Sequence, residues 1–128
     1  MRILLDTAPL LWLAVGDRSL SAAAWEAIRE RDNEVLVSSV SAVEIAAKHA
    51  LRKLPLPERP ELLVPAIRAA YQLGSLPLDE ESALKLSDLP SHHRDPFDRL
   101  LVCQAIVHGL LLLTPDEAIR RYPVRTAW

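Results

Sequence analysis

Short apolar runs alternate with longer helical stretches along the whole chain. Arg2-Ile3-Leu4-Leu5, ended by Asp6-Thr7, reads as a strand buried on both faces, because polar residues do not interrupt it at a period of two. Val35-Leu36-Val37-Ser38 repeats that pattern, and Leu110 to Leu113 is its most apolar version, ended by Thr114-Pro115-Asp116. Leu76-Pro77-Leu78 is a weaker strand whose proline confines it to an edge, and Val124 to Trp128 is a candidate last edge strand. Between the strands, Ala8 to Val15 predicts a short apolar helix stopped by Gly16-Asp17. Ser21 to Arg31 predicts another, with Ser21 as N-cap and Trp25 and Ile28 on the inner face. Ser41-Ala42-Val43-Glu44 has a capping-box pattern, opening a helix that continues to about Leu51. Lys53 to Pro60, with three prolines, is a loop, and Glu61 to Leu73 a helix closed by Gly74, its start pushed later by Pro65. Asp79 caps a helix to Leu86, and a last short helix follows Asp116.

The longest apolar helix lies inside Leu89 to Gly109, LPSHHRDPFDRLLVCQAIVHG. Pro96 suits the first helical position, where its missing N–H would be unpaired anyway. Asp95 is then the N-cap and Asp98 the N3 residue, which puts both carboxylates at the helix's positive end. Beyond Asp98 the helix is apolar except at Arg99 and Gln104 until His108, so most of its girth is buried, and Gly109 terminates it. Strands alternating with helices imply a three-layer α/β/α domain. Its central, mostly parallel sheet of about four to five strands is flanked by about seven helices.

Composition narrows this little but excludes some functions. The chain has 128 residues, half of them hydrophobic, enough for a single domain spanning 1–128 and no second core. Fifteen Lys plus Arg against seventeen Asp plus Glu give a net charge of −2, so nucleic-acid contact requires a local patch. The lone Cys103 falls in the buried helix, reads as a small core residue and fits a reducing compartment. No signal-peptide pattern opens the sequence and no apolar run approaches the ~20 residues that span a bilayer, so a cytoplasmic protein is expected.

Five acids fall at comparable places: Asp6 after the first strand, Glu44 in the helix after the second, Asp95 and Asp98 at the mouth of the long helix, and Asp116 after the most apolar strand. In open α/β sheets the strands' carboxyl ends and the following helix N-termini share the edge where ligands bind. Asp6, Glu44 and Asp116 belong there by topology, and Asp95 and Asp98 join them if their helix also runs back from that edge. Capping accounts for Glu44, Asp95, Asp98 and Asp116 taken one at a time. Asp6 has no obvious capping-box role and ends an apolar strand at the centre of the sheet, where a buried carboxylate needs a partner or a cation. Together the acids repel one another unless a cation neutralises them. Oxygen ligands without a Cys/His set point to Mg²⁺ or Mn²⁺ rather than zinc. Such an ion polarises a phosphate and activates water, the usual device for phosphodiester hydrolysis.

Neighbouring polar residues have two readings each. Thr7 could orient water, touch a substrate phosphate or cap a helix, and Lys48 could touch a substrate phosphate or pair with Glu44 four residues away. Arg94 and Arg99 could hold a phosphate or a neighbouring acid. His92 and His93, in a polar loop, read as surface residues. Trp12 and Trp25 lie on apolar helix faces, suited to core or a protein interface.

Four segments in order, LLDTAPLLW, SAVEIAAK, RDPFDRLLVCQA and LLTPDEAIRRYPV, resemble a PIN-domain ribonuclease of the VapC type, the toxin of a VapBC toxin–antitoxin pair. RDPFDR is the most specific of them. The resemblance implies a PIN fold with acids gathered over Mg²⁺ or Mn²⁺; the family acids fall on Asp6, Glu44, Asp98 with Asp95 beside it, and Asp116. It implies cleavage of RNA, commonly tRNA or rRNA, restraint by a VapB-type antitoxin, and homodimers. Ala8 departs from relatives that carry His or Asn there. Leu10, Leu11, Leu13, Val15 and Trp25 offer apolar surface for an antitoxin helix or a second subunit. Two other readings compete: a non-catalytic PIN-like binding module, and a Mg²⁺-dependent phosphohydrolase on another phosphate ester, which no D-x-D pair after a strand favours.

Overall fold

Five parallel strands form one sheet in the computed structural model, which describes residues 1–128. They are β1 (Arg2–Leu5), β2 (Glu34–Ser38), β3 (Gly74–Leu76), β4 (Leu111–Leu113) and β5 (Thr126–Ala127), lying side by side as β3-β2-β1-β4-β5. Six α-helices connect them: α1 (Thr7–Val15), α2 (Ala22–Arg29), α3 (Ser39–Ala50), α4 (Pro60–Ala70), α5 (Glu80–Leu84) and α6 (Pro96–His108). The last short helix and the end of the fifth are 3₁₀ turns, at Ile119–Arg121 and Lys85–Asp88.

The continuous apolar runs are explained by a core on each face of the sheet. Ile3, Leu5, Val35, Val37 and Leu113 pack with Leu10, Leu13, Ala24, Ile28, Leu63, Val64 and Ile67 of α1, α2 and α4. Their neighbours Leu4, Leu36 and Leu112 point the other way, onto Leu101, Val102 and Ala105 of α6 and onto Ile119 and Tyr122. Each fully buried Leu or Ile contributes roughly 1.5–3 kcal/mol of transfer free energy. Cys103 is fully buried in the second core, as expected. Gln104, also fully buried, accepts from the Ser38 hydroxyl and donates to the Pro77 carbonyl at 3.2 Å, tying α6 to the ends of β2 and β3.

The chain steps from β1 to β2 to β3, then crosses over to β4 on the far side of β1. Segments leaving β1 and β4 therefore cover opposite faces, and the crevice beyond those two strands is the switch point where such sheets bind ligands. Because α6 ends at Gly109, in left-handed conformation with φ 65°, and β4 follows at once, α6 runs antiparallel to the strands. Its N-terminus, with Asp95 and Asp98, thus reaches the carboxyl edge.

Two helix starts differ from the sequence reading. α3 begins at Ser39 with Ser38 as its cap, because the Ser38 hydroxyl accepts from the Val40 N–H at 2.9 Å; Ser41 and Glu44 do not form a capping box. α4 begins earlier, at Pro60, and continues through Pro65, which is exposed and so leaves only a solvent-facing carbonyl unpaired. No helix is long and apolar enough to cross a membrane.

Candidate active site

A cleft of about 300 Å³ at the carboxyl edge is lined by Asp6, Thr7, Ala8, Leu11, Glu44, Lys48, Leu54, Asp95, Asp98, Pro115 and Asp116. All five sequence-selected acids are in it. Asp6 is 5% exposed and is the N-cap of α1, though not part of a capping box. Its Oδ1 accepts from the Thr7 N–H at 2.8 Å and its Oδ2 from the Thr114 hydroxyl at 2.7 Å. Burial raises its pKa against those two hydrogen bonds, and the charges of Glu44 and Asp116 raise it further.

Glu44 sits in the second turn of α3, 6% exposed. Its Oε2 pairs with Lys48, as the four-residue spacing predicts, whereas Oε1 is buried without any hydrogen-bond partner. That pairing is the first cause raising the Lys48 pKa. Asp95 caps α6, its Oδ1 accepting from the N–H groups of Phe97 and Asp98 at 2.9 and 3.4 Å. Asp98 is pushed up to about 7, first by burial, then by the charges of Asp6, Asp95 and Glu44, with His93 pulling the other way. Asp116 accepts from the Ala118 N–H at 2.8 Å, and its own N–H donates to the Thr114 hydroxyl at 3.0 Å.

His93 corrects the surface reading. Its Nε2 lies 3.1 Å from both Asp98 Oδ2 and Asp116 Oδ2, with the side chain 22% exposed. The loop turns inward because the His93 N–H donates to the buried Tyr122 hydroxyl at 2.8 Å and His92 packs edge-on against the Tyr122 ring. Thr7 is the first residue of α1 rather than a cap, and its hydroxyl donates to Ser41 at 2.9 Å. Arg94 is exposed beside Asp95. Arg99 does not line the cleft; its guanidinium donates to the Leu89 carbonyl at 3.2 Å.

Sequence reasoning missed Thr114, Ser41, His93 and Tyr122. Only Thr114, adjoining Pro115-Asp116, carried a local signal. The donor set fits a hard divalent cation: several carboxylates converge, a Glu44 oxygen is orphaned in a buried position, and burial followed by the neighbouring acids raises the Asp98 pKa. Each acid that caps a helix through one oxygen keeps further lone pairs for a ligand.

Comparison with known proteins agrees with this architecture. The family described as PIN domain matches residues 3–124. A Mycobacterium tuberculosis protein named Ribonuclease VapC22 is 33% identical over 128 residues, covering 94% of this chain and 91% of its own. Among solved structures, the Rickettsia felis VapBC2 complex bound to a DNA fragment from its promoter contains a chain with TM-score 0.75 at 15% identity, over 99% of this chain and 98% of that one. DNA-bound VapBC from Salmonella typhimurium gives TM-score 0.68 at 16% identity, over 99% and 97%. At those identities the two structures speak for the fold, while the family match and the M. tuberculosis relative speak for descent: the chain belongs to the PIN-domain family, as a protein of the VapC type.

Proposed function

We propose that this chain is a Mg²⁺- or Mn²⁺-dependent endoribonuclease. It acts in the cytoplasm, as one PIN domain over 1–128, as the toxin of a toxin–antitoxin pair. The observation that carries the reading is the convergence of five carboxylates on one cleft with Glu44 Oε1 buried and unpartnered. The ribonuclease name of the M. tuberculosis relative supports the substrate class. A cation held by Asp6, Glu44 and Asp98, with Asp95 and Asp116 at its rim, would supply charge to the scissile phosphate and lower the pKa of the attacking water. Thr114 and the Thr7 N–H fix both oxygens of Asp6, so that carboxylate is oriented before any ligand arrives. Lys48, salt-bridged to Glu44 in the cleft, and Arg94, exposed beside it, are the cations we assign to substrate phosphate. Arg99 instead supports the loop before α6 through the Leu89 carbonyl.

The test is incubation of purified protein with labelled RNA, with Mg²⁺ or Mn²⁺ or with chelator, beside Asp6→Asn. Ion-dependent cleavage leaving 5′-phosphate and 3′-hydroxyl ends is expected. Equal cleavage in chelator with 2′,3′-cyclic phosphate ends would overturn it. For the partner we assign a VapB-type antitoxin segment to the apolar cleft of about 260 Å³ between α1, α2 and α4, lined by Trp12, Leu13, Leu20, Trp25 and Tyr71. Leu10 and Leu13 are already buried, so the free surface is narrower than the sequence suggests; Val15, 58% exposed, flanks it. Such a toxin is expected to form a homodimer, read by light scattering, and to lose its cleavage when the antitoxin is co-expressed.

A further inference from the structure

We propose that His93 is a positioning residue of this site and not one of its metal ligands: its ring N–H, hydrogen-bonded to Asp116 and in close contact with Asp98, holds the two acids together as a preformed pair. The part of this that concerns ion binding rests on the nuclease reading above; the ring's proton placement does not.

The proton is located by what surrounds the ring. A backbone N–H can only donate, and that of Asp95 lies 3.1 Å from His93 Nδ1, so Nδ1 carries a lone pair and the ring proton sits on Nε2. Nε2 is hydrogen-bonded to Asp116 Oδ2 at 3.1 Å and lies 3.1 Å from Asp98 Oδ2. These three side chains have the proximity of a three-ligand metal cluster. A protonated nitrogen, however, has no lone pair for a metal, and the nitrogen that has one is occupied by Asp95. The ring therefore acts on the carboxylates.

Its anchorage suits that task. His93 is fixed through its own N–H on Tyr122, 3% exposed, and through Nδ1 on the first turn of α6. Asp98 comes from α6 and Asp116 from the segment after β4, so the ring is a direct link between elements that approach the cleft from different directions. Without it, two carboxylates on separate elements would be free to repel and turn apart. With it, ion binding starts from an ordered pair, and the oxygen-only character of the ligand set is preserved, favouring a hard cation.

The first measurement is a long-range ¹H–¹⁵N correlation on ¹⁵N-histidine-labelled protein in chelator, with His93 assigned by the signal missing in His93→Ala. His93 should show a lone-pair Nδ1 and a protonated Nε2. His49 should show the reverse, because its Nδ1 faces the Leu54 carbonyl at 3.2 Å and must donate. The second is calorimetric Mn²⁺ titration. His93→Ala should weaken binding by about 10–100-fold, the usual loss for an outer-shell partner, and His93→Gln, which keeps a side-chain N–H donor, should recover most of it. A protonated Nδ1 on His93, wild-type Mn²⁺ affinity in His93→Ala, or ¹⁵N hyperfine coupling from a Mn²⁺-bound His93 imidazole would each overturn the proposal. If the wild type binds no ion, the nuclease reading falls, while the tautomer, read without ion, still decides whether His93 bridges the two acids.

Discussion

Asp98→Asn should make the ion-free protein more stable at neutral and alkaline pH while destroying its response to ions. The Asp98 carboxyl is pushed from 3.8 to about 7 by burial and by three neighbouring acids. Between those values the folded protein holds a proton that the unfolded chain has released. Stability therefore falls as pH rises through that window, and the full penalty persists above it. A gap of that size corresponds to about 4 kcal/mol at most, halved to about 2 for partial exposure and local relaxation. Asn at the third position of α6 gives up about 0.3–1 kcal/mol of charge–dipole attraction. The net gain is about 1–2 kcal/mol, or roughly 4–8 °C in Tm for a domain of this size. Thermal melts in chelator at pH 8 and near pH 4.5 measure it. The variant should melt higher at pH 8 and no higher than wild type at the acidic pH, and added Mg²⁺ or Mn²⁺ should raise only the wild-type Tm. A pH-independent difference, or a variant less stable at pH 8, would show that burial and the neighbouring acids do not hold the Asp98 pKa up.

Asp6→Asn should abolish cleavage but raise the chelator Tm less than Asp98→Asn does, because Asp6 also caps α1 and accepts from Thr114; paired melts of the two variants compare them directly. Thr114→Val, nearly the same shape, removes a donor to buried Asp6 and an acceptor for the Asp116 N–H, so denaturant unfolding should report a loss of about 1–3 kcal/mol.

The sheet was legible because buried parallel strands need apolar residues on both faces, and Ile3-Leu4-Leu5 and Val35-Leu36-Val37 have them. Asp95 as cap and Asp98 in the first turn of α6 were legible because proline at the first helical position fixes the register of everything after it. The direction of α6 was not, since a helix pattern is silent about which sheet edge its start reaches; the crossover from β3 to β4 decides that. Capping was misassigned where two hydroxyls competed. Ser38 and Ser41 both precede an apolar stretch, and Ser38 takes the cap because the Ser41 hydroxyl is claimed across the structure by Thr7. His93 was illegible for a similar reason: its place depends on Tyr122, distant in sequence, and no local periodicity encodes that latch.

Capping and ion binding, weighed as rival explanations of the same acids, are compatible here because they use different oxygens and different fields. Asp95 spends Oδ1 on the α6 N–H groups, leaving Oδ2 free of that duty, and Asp6 receives one donor on each oxygen while retaining a lone pair on both. The starts of α1 and α6 both open on the cleft, so their positive ends offset part of the repulsion among the acids they carry. Burial first, and the neighbouring acids after it, still raise the pKa of Asp6 and Asp98, and Glu44 Oε1 has no donor at all. Caps that fully satisfied the acids would leave an inert helix edge, and acids with no caps would be too disordered to bind. This fold stops between the two, with carboxylates oriented by backbone and hydroxyl donors and a residual negative charge that a proton or a cation from outside the chain can balance.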